Sequence, residues 1–344
     1  MKVTLKDIAT RTGYSVNTVS HALAGKTDIA VSTREEIAKV AAEMGYIRNS
    51  AASSLRSGKS GTIALILPDV ANPNFIIMFR GIEAFFRQKS YTVFVLNTDE
   101  SPEIERDAIH AALAQNVDGI ILCPTADDHA NLSYLASTGV PFCLIGRRMQ
   151  EIDTDYVICD DELGGYLAAT HLWENGHRQI AFFNGDLRIS AAKERLAGIE
   201  RALAEYGTEL RPEHTLSLSV KAGGNKQQMR LFFEQHPKVS ALITFSDLLA
   251  YEAICVLEDM GKRVPADLSV VGFDNICSDF SFPTALSSVS VSKKTMAAAS
   301  AELLWERIEG RTVEECHIIL PTKLIERKTV KHINKETYYD LRNH

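Results

Sequence analysis

The stretch TLKDIATRTGYSVNTVSHAL, residues 4–23, decides the fold of the first part of the chain. Two short segments in it carry apolar residues at helical spacing, and each is preceded by a good N-cap residue, Thr4 or Ser15. Gly13 ends the first segment, because glycine readily takes the left-handed conformation that closes a helix. The apolar residues are Leu5, Ile8, Ala9, Val19, Ala22 and Leu23. The stretch therefore predicts two helices joined by a tight turn, a helix-turn-helix.

The second predicted helix leaves an outer face made of Val16, Asn17, Ser20 and His21. These side chains are short and mostly polar near the helix N-terminus, as reading of the DNA major groove requires. A third helix is predicted over residues 32–44, followed by a glycine stop. A small three-helix bundle without a DNA role is the alternative interpretation of the same pattern.

Charge is unevenly distributed along the chain. All 344 residues together carry a net charge of −7, yet residues 1–60 hold nine Lys and Arg against five Asp and Glu, a charge of +4. The remainder therefore carries −11. A basic end on an acidic body is typical of a nucleic-acid module attached to a larger partner domain. The length predicts two or three domains.

Composition argues against several classes of protein. No apolar run approaches the length of a membrane span, and the N-terminus has no apolar signal-peptide core, which predicts a cytoplasmic protein without a membrane partner. The six cysteines have no metal-ligand or redox spacing and are expected to be buried thiols. We find no serine elbow, zinc-protease or dinucleotide motif, so we expect no enzyme, no cofactor and no metal.

Together with VSTREEIAKVAAEMGYIRN, residues 31–49, the opening stretch resembles the DNA-binding headpiece of the lactose-repressor/galactose-repressor family. The matching positions include Thr4, Leu5, Asp7, Ile8, Ala9, Gly13, Ser15, Thr18, Val19, Ser20, Leu23, Gly25, Thr33, Arg34, Ile37, Ala41, Gly45, Tyr46 and Asn49. The resemblance implies that Val16, Asn17 and His21 read base edges. It also implies a set that anchors phosphates or fixes the headpiece, namely Thr4, Ser15, Thr18, Ser20, Thr33, Arg34 and Asn49.

Side-chain chemistry agrees with this division. Hydroxyl groups and backbone N–H groups at helix starts bind phosphate without sequence preference. Asn17 is able to form two hydrogen bonds to adenine, Val16 offers methyl contact to a thymine, and His21 is able to donate to a guanine acceptor.

Residues 49–58 are small and polar apart from Leu55, and such a short segment is a marginal helix by itself. A plain linker is one interpretation. The resemblance extends through Ala52 and Leu55 and implies a hinge helix that forms on the operator. The paired Leu55 side chains of a homodimer would then wedge a central base step in the minor groove.

From Gly61 onward, apolar strands alternate with helices. We predict strands at 62–67, 92–96, 119–123, 142–145, 180–184, 241–245 and 269–272, and helices at 75–89, 103–116, 163–175, 191–206 and 248–260. This alternation indicates parallel sheets covered on both faces, and the number of strands favours two lobes. The region also resembles the periplasmic-binding-protein-like core of the same family, through motifs such as 67–69, 118–121, 176–181 and 269–275.

The expected architecture is an all-α headpiece followed by an α/β core whose two lobes are each a doubly wound parallel sheet. The resemblance implies that the chain crosses between the lobes near Cys159, Ser290 and Leu320. The expected divisions are a headpiece at 1–48, a hinge at 49–60, an N-terminal lobe at 61–158 plus 291–319, a C-terminal lobe at 159–290 plus 320–330, and a polar tail at 331–344.

Doubly wound sheets bind ligands beyond the carboxyl ends of their strands, and two lobes place those ends across a cleft. An Arg and an Asp that converge there suit the vicinal hydroxyls of a sugar-like effector. Strand ends and the helices that follow them predict Arg147, Arg195, Ser246 and Asp274 as effector-binding residues. The resemblance implies Arg195, Ser246 and Asp274 as well, and adds Asn72 and Phe75. The alternative role for each of them is a helix cap or a surface ion pair, and for Asp247 we expect the cap. Departures from the family at Gly146, 221–224 and Val291-Ser292 leave the identity of the effector open.

These patterns predict a dimeric transcriptional repressor that binds a near-palindromic double-stranded DNA operator and responds to a small effector. The alternative is a soluble sugar-binding protein with a vestigial headpiece, which would bind every duplex with the same affinity.

Overall fold

The computed structural model describes residues 3–46, 58–125, 129–149, 152–221, 223–311 and 317–333. The chain divides into two compact units, Met1–Ser60 and Gly61–His344. No helix in these described ranges is long and apolar enough to cross a membrane.

The first unit contains three helices, α1 Leu5–Thr12, α2 Val16–Leu23 and α3 Val31–Glu43. A capping box begins α1, since Thr4 Oγ1 accepts from the Asp7 N–H while the Asp7 carboxylate accepts from the Thr4 N–H at 2.8 Å. Gly13 closes the helix with a φ of +78°. The predicted helix-turn-helix is confirmed, and α3 starts one residue earlier than expected.

Packing of the three helices rests on one residue from each. Ile8 of α1, Val19 of α2 and Ile37 of α3 are fully buried in one hydrophobic cluster shared by the three helices. Burial of each such side chain contributes roughly 1.5–3 kcal/mol relative to exposure. The spacing of these residues therefore orients α2, with its opposite face turned to solvent.

The second unit is built on two six-stranded sheets. The first sheet has the strand order β11-β5-β4-β3-β1-β2, and all its neighbouring strands are parallel. Its strands are β1 Thr62–Leu67, β2 Thr92–Asn97, β3 Gly119–Leu122, β4 Phe142–Ile145, β5 Tyr156–Cys159 and β11 His317–Leu320. The helices that accompany it are α4 Pro73–Gln88, α5 Pro102–Ala114, α6 His129–Ser137 and α11 Lys293–Ile308.

The second sheet has the order β12-β10-β9-β8-β6-β7 and is parallel except for the antiparallel pair of β10 and β12. Its strands are β6 Ile180–Asn184, β7 Thr215–Ser217, β8 Ala241–Thr244, β9 Ser269–Phe273, β10 Ser287–Ser290 and β12 Lys323–Ile325. Its helices are α7 Asp161–Glu174, α8 Ser190–Glu205, α9 Lys226–Gln235 and α10 Asp247–Asp259. The predicted two-lobed α/β core is confirmed, with one antiparallel edge strand that the sequence did not predict.

The chain passes between the two sheets at three places. Strand β5 ends at Cys159 and helix α7 of the other lobe begins at Asp161. Strand β10 is followed by α11 of the first lobe, and β11 is followed by β12 of the second lobe. Three crossings bring the carboxyl ends of the parallel strands of both lobes to a shared cleft.

Helices α7 and α8 pack unusually closely because each carries a glycine at the contact. A Cβ atom on Gly165 would lie 2.1 Å from the Arg195 carbonyl oxygen, and one on Gly198 would lie 1.9 Å from the Glu162 carbonyl oxygen. Both distances are far inside van der Waals contact, so neither position has room for a side chain. The close approach sets the position of the residues on both helices that face the cleft.

We predict that Gly198→Ala lowers the free energy of unfolding by about 1–3 kcal/mol, because the backbone of α7 must move to admit the methyl group. Alanine is a better helix former than glycine by about 1 kcal/mol, so helix propensity alone would raise the free energy of unfolding. A decrease would therefore indicate the steric clash. Chemical denaturation followed by circular dichroism measures the change. Ala197→Ser, at the exposed neighbouring position, is the control and should have a small effect. A Gly198→Ala protein as stable as its parent would contradict the prediction.

Candidate nucleic-acid interface and interlobe cavity

The start of α2 is held by hydroxyl groups that the sequence assigned to phosphate anchoring. Ser15 is the N-cap, and its Oγ accepts from the Thr18 N–H at 3.0 Å and lies 2.8 Å from Thr18 Oγ1. Next to this cap, Val16 is 45% exposed and Asn17 is exposed as well. Two of the three residues expected to read bases are therefore exposed in the first turn of a helix whose N-terminus is capped.

His21 occupies the same outer face but is engaged within the headpiece. Its Nδ1 lies 2.7 Å from the carboxylate of Asp28, and its Nε2 lies 3.4 Å from the ammonium nitrogen of Lys26. Neither partner was expected from the sequence. The only available signal was the presence of one acid and one base in the short loop after α2.

The other residues expected to position the headpiece have several different surroundings. Arg34 donates to the Gly25 carbonyl oxygen at 3.2 Å and so fastens the loop between α2 and α3. Thr4 serves the capping box of α1, and Ser20 and Thr33 are half-buried. Asn49, Ala52 and Leu55 lie outside the described residues.

In the second unit, a small cavity lies between the two lobes. Five of the six expected effector residues line it: Asn72, Phe75, Arg147, Arg195 and Asp274. Ser246 is not among its lining residues. It is the N-cap of α10, where its Oγ accepts from the Leu249 N–H at 3.3 Å, and it, rather than the expected Asp247, caps that helix.

The cavity volume is about 50 Å³, which holds only a few water molecules. Cross-lobe contacts account for this closure. Arg148, after β4, forms a 2.9 Å ion pair with Glu194 of α8, and its backbone N–H donates to Ser190 Oγ at 3.1 Å. Lys221 and Asp99 form a second cross-lobe pair at 2.8 Å. The lobes are therefore closed on each other.

Arg195 is held at the wall of the cavity by three kinds of contact. Its Nε donates to the Asp161 carboxylate at 2.8 Å, and its Nη1 donates to the Phe245 carbonyl oxygen. The guanidinium lies 3.8 Å from the ring centroid of Phe273 and 4.5 Å from that of Phe245. Stacking and ion pairing together fix the plane of the guanidinium.

Arg147 is paired in the same manner from the other lobe. Its two terminal nitrogens donate to the two carboxylate oxygens of Glu100 at 2.9 and 2.7 Å, and Nη1 also reaches the carbonyl oxygens of Pro124 and Thr125. Glu100 and Asp161 were missed from the sequence. Both follow a strand closely in the chain, and extending the strand-end rule by two or three residues would have found them.

The Asp274 carboxylate differs from these paired groups. Within the described part of the chain no group hydrogen-bonds to it, whereas its backbone oxygen accepts from the Lys293 ammonium at 2.5 Å. Its φ of +99° turns the residue out of the strand that precedes it. Burial raises the pKa of the Asp274 carboxyl to about 6, although the nearby cations Arg195 and Lys293 lower it.

A second unsatisfied oxygen belongs to the same cavity. Asn74 Oδ1 is buried and has no hydrogen-bond partner among the described residues. Both open positions, on Asp274 and Asn74, are hydrogen-bond acceptors. The cavity is therefore suited to a ligand that presents hydrogen-bond donors.

Comparison with known proteins gives two family matches and full-length relatives. Residues 4–49 match the model of "Bacterial regulatory proteins, lacI family", and residues 60–328 match that of "Periplasmic binding proteins and sugar binding domain of LacI family". The HTH-type transcriptional repressor PurR of Aliivibrio salmonicida (strain LFI1238) is 28% identical over 95% of this chain and 98% of its own length. The HTH-type transcriptional regulator DegA of Bacillus subtilis (strain 168) is 30% identical over 97% of this chain and all of its own length.

Solved structures give the same result. The lac repressor dimer bound to operator and the anti-inducer ONPF has a TM-score of 0.84 and 27% identity, covering 96% of this chain and all of that one. The CelR–cellobiose complex has a TM-score of 0.71 and 28% identity, covering 95% of this chain and all of that one. The resemblance inferred from residues 4–49 and from the core is confirmed. The chain belongs to the LacI family of bacterial regulatory proteins.

Proposed function

We propose that Val16, Asn17 and His21 read the operator of this transcriptional repressor and that the interlobe cavity binds its effector. The observation that carries the first part is the geometry of α2. Its buried face packs on α1 and α3, its start is capped by Ser15, and the Val16 and Asn17 side chains project into solvent. The relatives to which the chain is similar are regulators rather than enzymes.

Recognition follows from this geometry. The hydroxyls around the start of α2 lie where a helix in the major groove meets phosphates, and Asn17 next to them offers the paired donor and acceptor that adenine requires. The protein acts as a dimer, so two copies of the headpiece read two half-sites and favour a near-palindromic operator. Ala52 and Leu55 are proposed for the minor groove on the family pattern alone. Since DNA is the target, the protein works in the cytoplasm.

Effector binding uses the two open acceptors of the cavity. Hydroxyl groups of a sugar-like ligand donate to Asp274 and Asn74, while Arg195 supplies the donor for a ligand oxygen beside them. A cavity of about 50 Å³ does not hold a sugar, so binding requires the lobes to part. CelR, one of the similar proteins, was solved with cellobiose.

Control of DNA binding follows from the cross-lobe contacts. The Arg148–Glu194 and Lys221–Asp99 ion pairs favour the closed arrangement, and a ligand that fits a more open cleft shifts the population away from it. A change in the angle between the lobes alters the spacing of the two hinges in the dimer. That spacing decides whether both headpieces fit the operator.

For DNA reading, we expect Asn17→Ala to weaken binding to an operator selected from random duplexes by about tenfold to a hundredfold, because a good two-bond base contact contributes about 1–3 kcal/mol. Binding to unrelated duplexes should not change. Gel-shift titrations at fixed salt give both affinities, and Ala38→Ser on the exposed face of α3 is the matched control. Equal affinity of the parent protein for every duplex would favour the sugar-binding protein with a vestigial headpiece instead.

For the effector, we expect Asp274→Ala to lower the affinity of a binding sugar at least about tenfold, since a hydrogen bond to a charged group contributes about 1.5–3 kcal/mol. A thermal-shift screen of neutral sugars, beginning with cellobiose, identifies the probe, and calorimetry measures its affinity. Asp259→Ala, an exposed aspartate at the end of α10, is the control. Undiminished affinity in Asp274→Ala would remove this residue from the site.

The raised pKa of Asp274 has a second consequence, for stability. The folded carboxyl keeps its proton up to about pH 6 and the unfolded one only to about its ordinary value of 3.8. The folded state therefore binds more protons in this window, and the contribution of Asp274 to the free energy of unfolding falls as the pH rises through it. The difference between the folded pKa of about 6 and the ordinary value of 3.8 corresponds to about 3 kcal/mol in the free energy of unfolding.

We accordingly expect Asp274→Asn to gain stability relative to its parent by up to about 3 kcal/mol between pH 4 and pH 7. Denaturant unfolding of both proteins across this range measures the difference. The buried Asp247 is present in both proteins, and its pKa is raised by burial and by the charge of Asp274. Removing that charge lowers the pKa of Asp247, so this coupling adds to the expected trend in the same direction. Asp259→Asn should show no such trend, and a pH-independent difference for Asp274→Asn would refute the assignment.

A further inference from the structure

His21, Asp28 and Lys26 form a hydrogen-bonded chain on the reading face of the headpiece. His21 Nδ1 lies 2.7 Å from Asp28 Oδ2, and His21 Nε2 lies 3.4 Å from Lys26 Nζ. The imidazole is three-quarters buried while the Asp28 side chain is about half exposed. The two ring nitrogens of His21 therefore have opposite kinds of neighbour.

The loop that carries these two neighbours is held in place. The Lys26 N–H donates to the His21 carbonyl oxygen at 3.1 Å, and the Gly25 N–H donates to the Ala22 carbonyl oxygen at 3.0 Å. Arg34 of α3 binds the Gly25 carbonyl oxygen from the other side. These hydrogen bonds fix the loop conformation that places Asp28 next to His21.

The donor and acceptor capacities of His21, Asp28 and Lys26 are compatible with one position of the imidazole proton. A carboxylate only accepts and an ammonium only donates, so His21 satisfies both when Nδ1 carries the proton and Nε2 presents its lone pair. A doubly protonated ring would point an N–H of Nε2 at the Lys26 ammonium. The tautomer of a histidine is set by the partner of the ring nitrogen that does not bind the target. For His21 that nitrogen is Nδ1 and its partner is Asp28, so Asp28 fixes the tautomer.

We propose that Asp28 is a specificity-determining residue, which makes His21 Nε2 a hydrogen-bond acceptor that reads the exocyclic amine of adenine or cytosine. On DNA the long Lys26 side chain swings to a phosphate and uncovers Nε2. This inference rests on the proposed role of His21 in base reading. It replaces the expectation from the sequence that His21 donates to guanine.

The test begins by selecting operators from random duplexes at about pH 8, above the range in which imidazoles ordinarily titrate. The position read by His21 is the one whose base preference disappears in His21→Ala. At that position, an analogue lacking the exocyclic amine (purine for adenine, pyrimidin-2-one for cytosine) should weaken binding of the parent protein roughly five- to tenfold, as expected for one base-edge hydrogen bond. The same analogue should not affect His21→Ala.

A 7-deazapurine at that base pair removes the purine N7 acceptor and should leave the affinity of the parent protein unchanged. Loss of affinity with the 7-deazapurine but not with the amine-free analogue would overturn the inference, because His21 would then be a donor. A base preference that is unaffected by His21→Ala at every position would refute the proposed role of His21 itself.

Asp28→Ala provides an independent arm. With the acceptor removed, the proton is no longer held on Nδ1 and is able to occupy Nε2, so the preference at this one position should shift toward guanine or thymine. Glu35→Ala, the removal of an exposed acid on α3, is the matched control and should keep the preference of the parent. Thermal unfolding confirms that the variants are folded. An unchanged preference in a folded Asp28→Ala protein would overturn the assignment of Asp28.

Discussion

The buried ion pair between Arg195 and Asp161 is the interaction around which the cavity is organised. A guanidinium and a carboxylate removed from water must satisfy one another, and loss of one partner of such a pair costs about 3–5 kcal/mol. The pair joins α8 to α7, and these helices approach closely enough only because Gly165 and Gly198 have no side chains. Backbone packing and charge pairing thus depend on each other at this wall of the cavity.

The opposite wall repeats the arrangement with Arg147 and Glu100. Each lobe therefore neutralises its own arginine, and the two cavity groups without a hydrogen-bond partner among the described residues, the Asp274 carboxylate and Asn74 Oδ1, are acceptors. The Arg148–Glu194 and Lys221–Asp99 pairs then join the lobes across the cleft. Paired charges within the lobes define the ligand chemistry, and paired charges between the lobes set the balance between open and closed forms.

The headpiece reaches its geometry by different means, through a small apolar core and helix caps. Its three helices share a core of only a few fully buried side chains, and caps at Thr4 and Ser15 fix where α1 and α2 begin. The Asp28–His21–Lys26 chain adds a polar constraint on the exposed side. A reading helix of this kind presents its side chains in fixed directions before it meets DNA, which lowers the entropy cost of binding.

The sequence alone determined those features that depend on local patterns. Capping residues, glycine stops and apolar periodicity located α1, α2 and most of the strands and helices that alternate through the core, and the spaced identities of residues 4–49 indicated the family. Strand-end reasoning predicted Arg147, Arg195 and Asp274 at the cavity, and the family resemblance added Asn72 and Phe75. Short elements such as α6, β7 and α9 were not predicted, since they span only three to ten residues and the windows that establish a period are longer.

Only the tertiary structure decided which side chains meet. Glu100 lies 47 residues before Arg147, and Asp161 lies 34 before Arg195, so no local pattern connects them. The same holds for the closure of the cleft and for the contact of Asp28 with His21. Local propensity determines where an element begins and which face is apolar, whereas the pairing of charges depends on distances that exist only after the elements have packed.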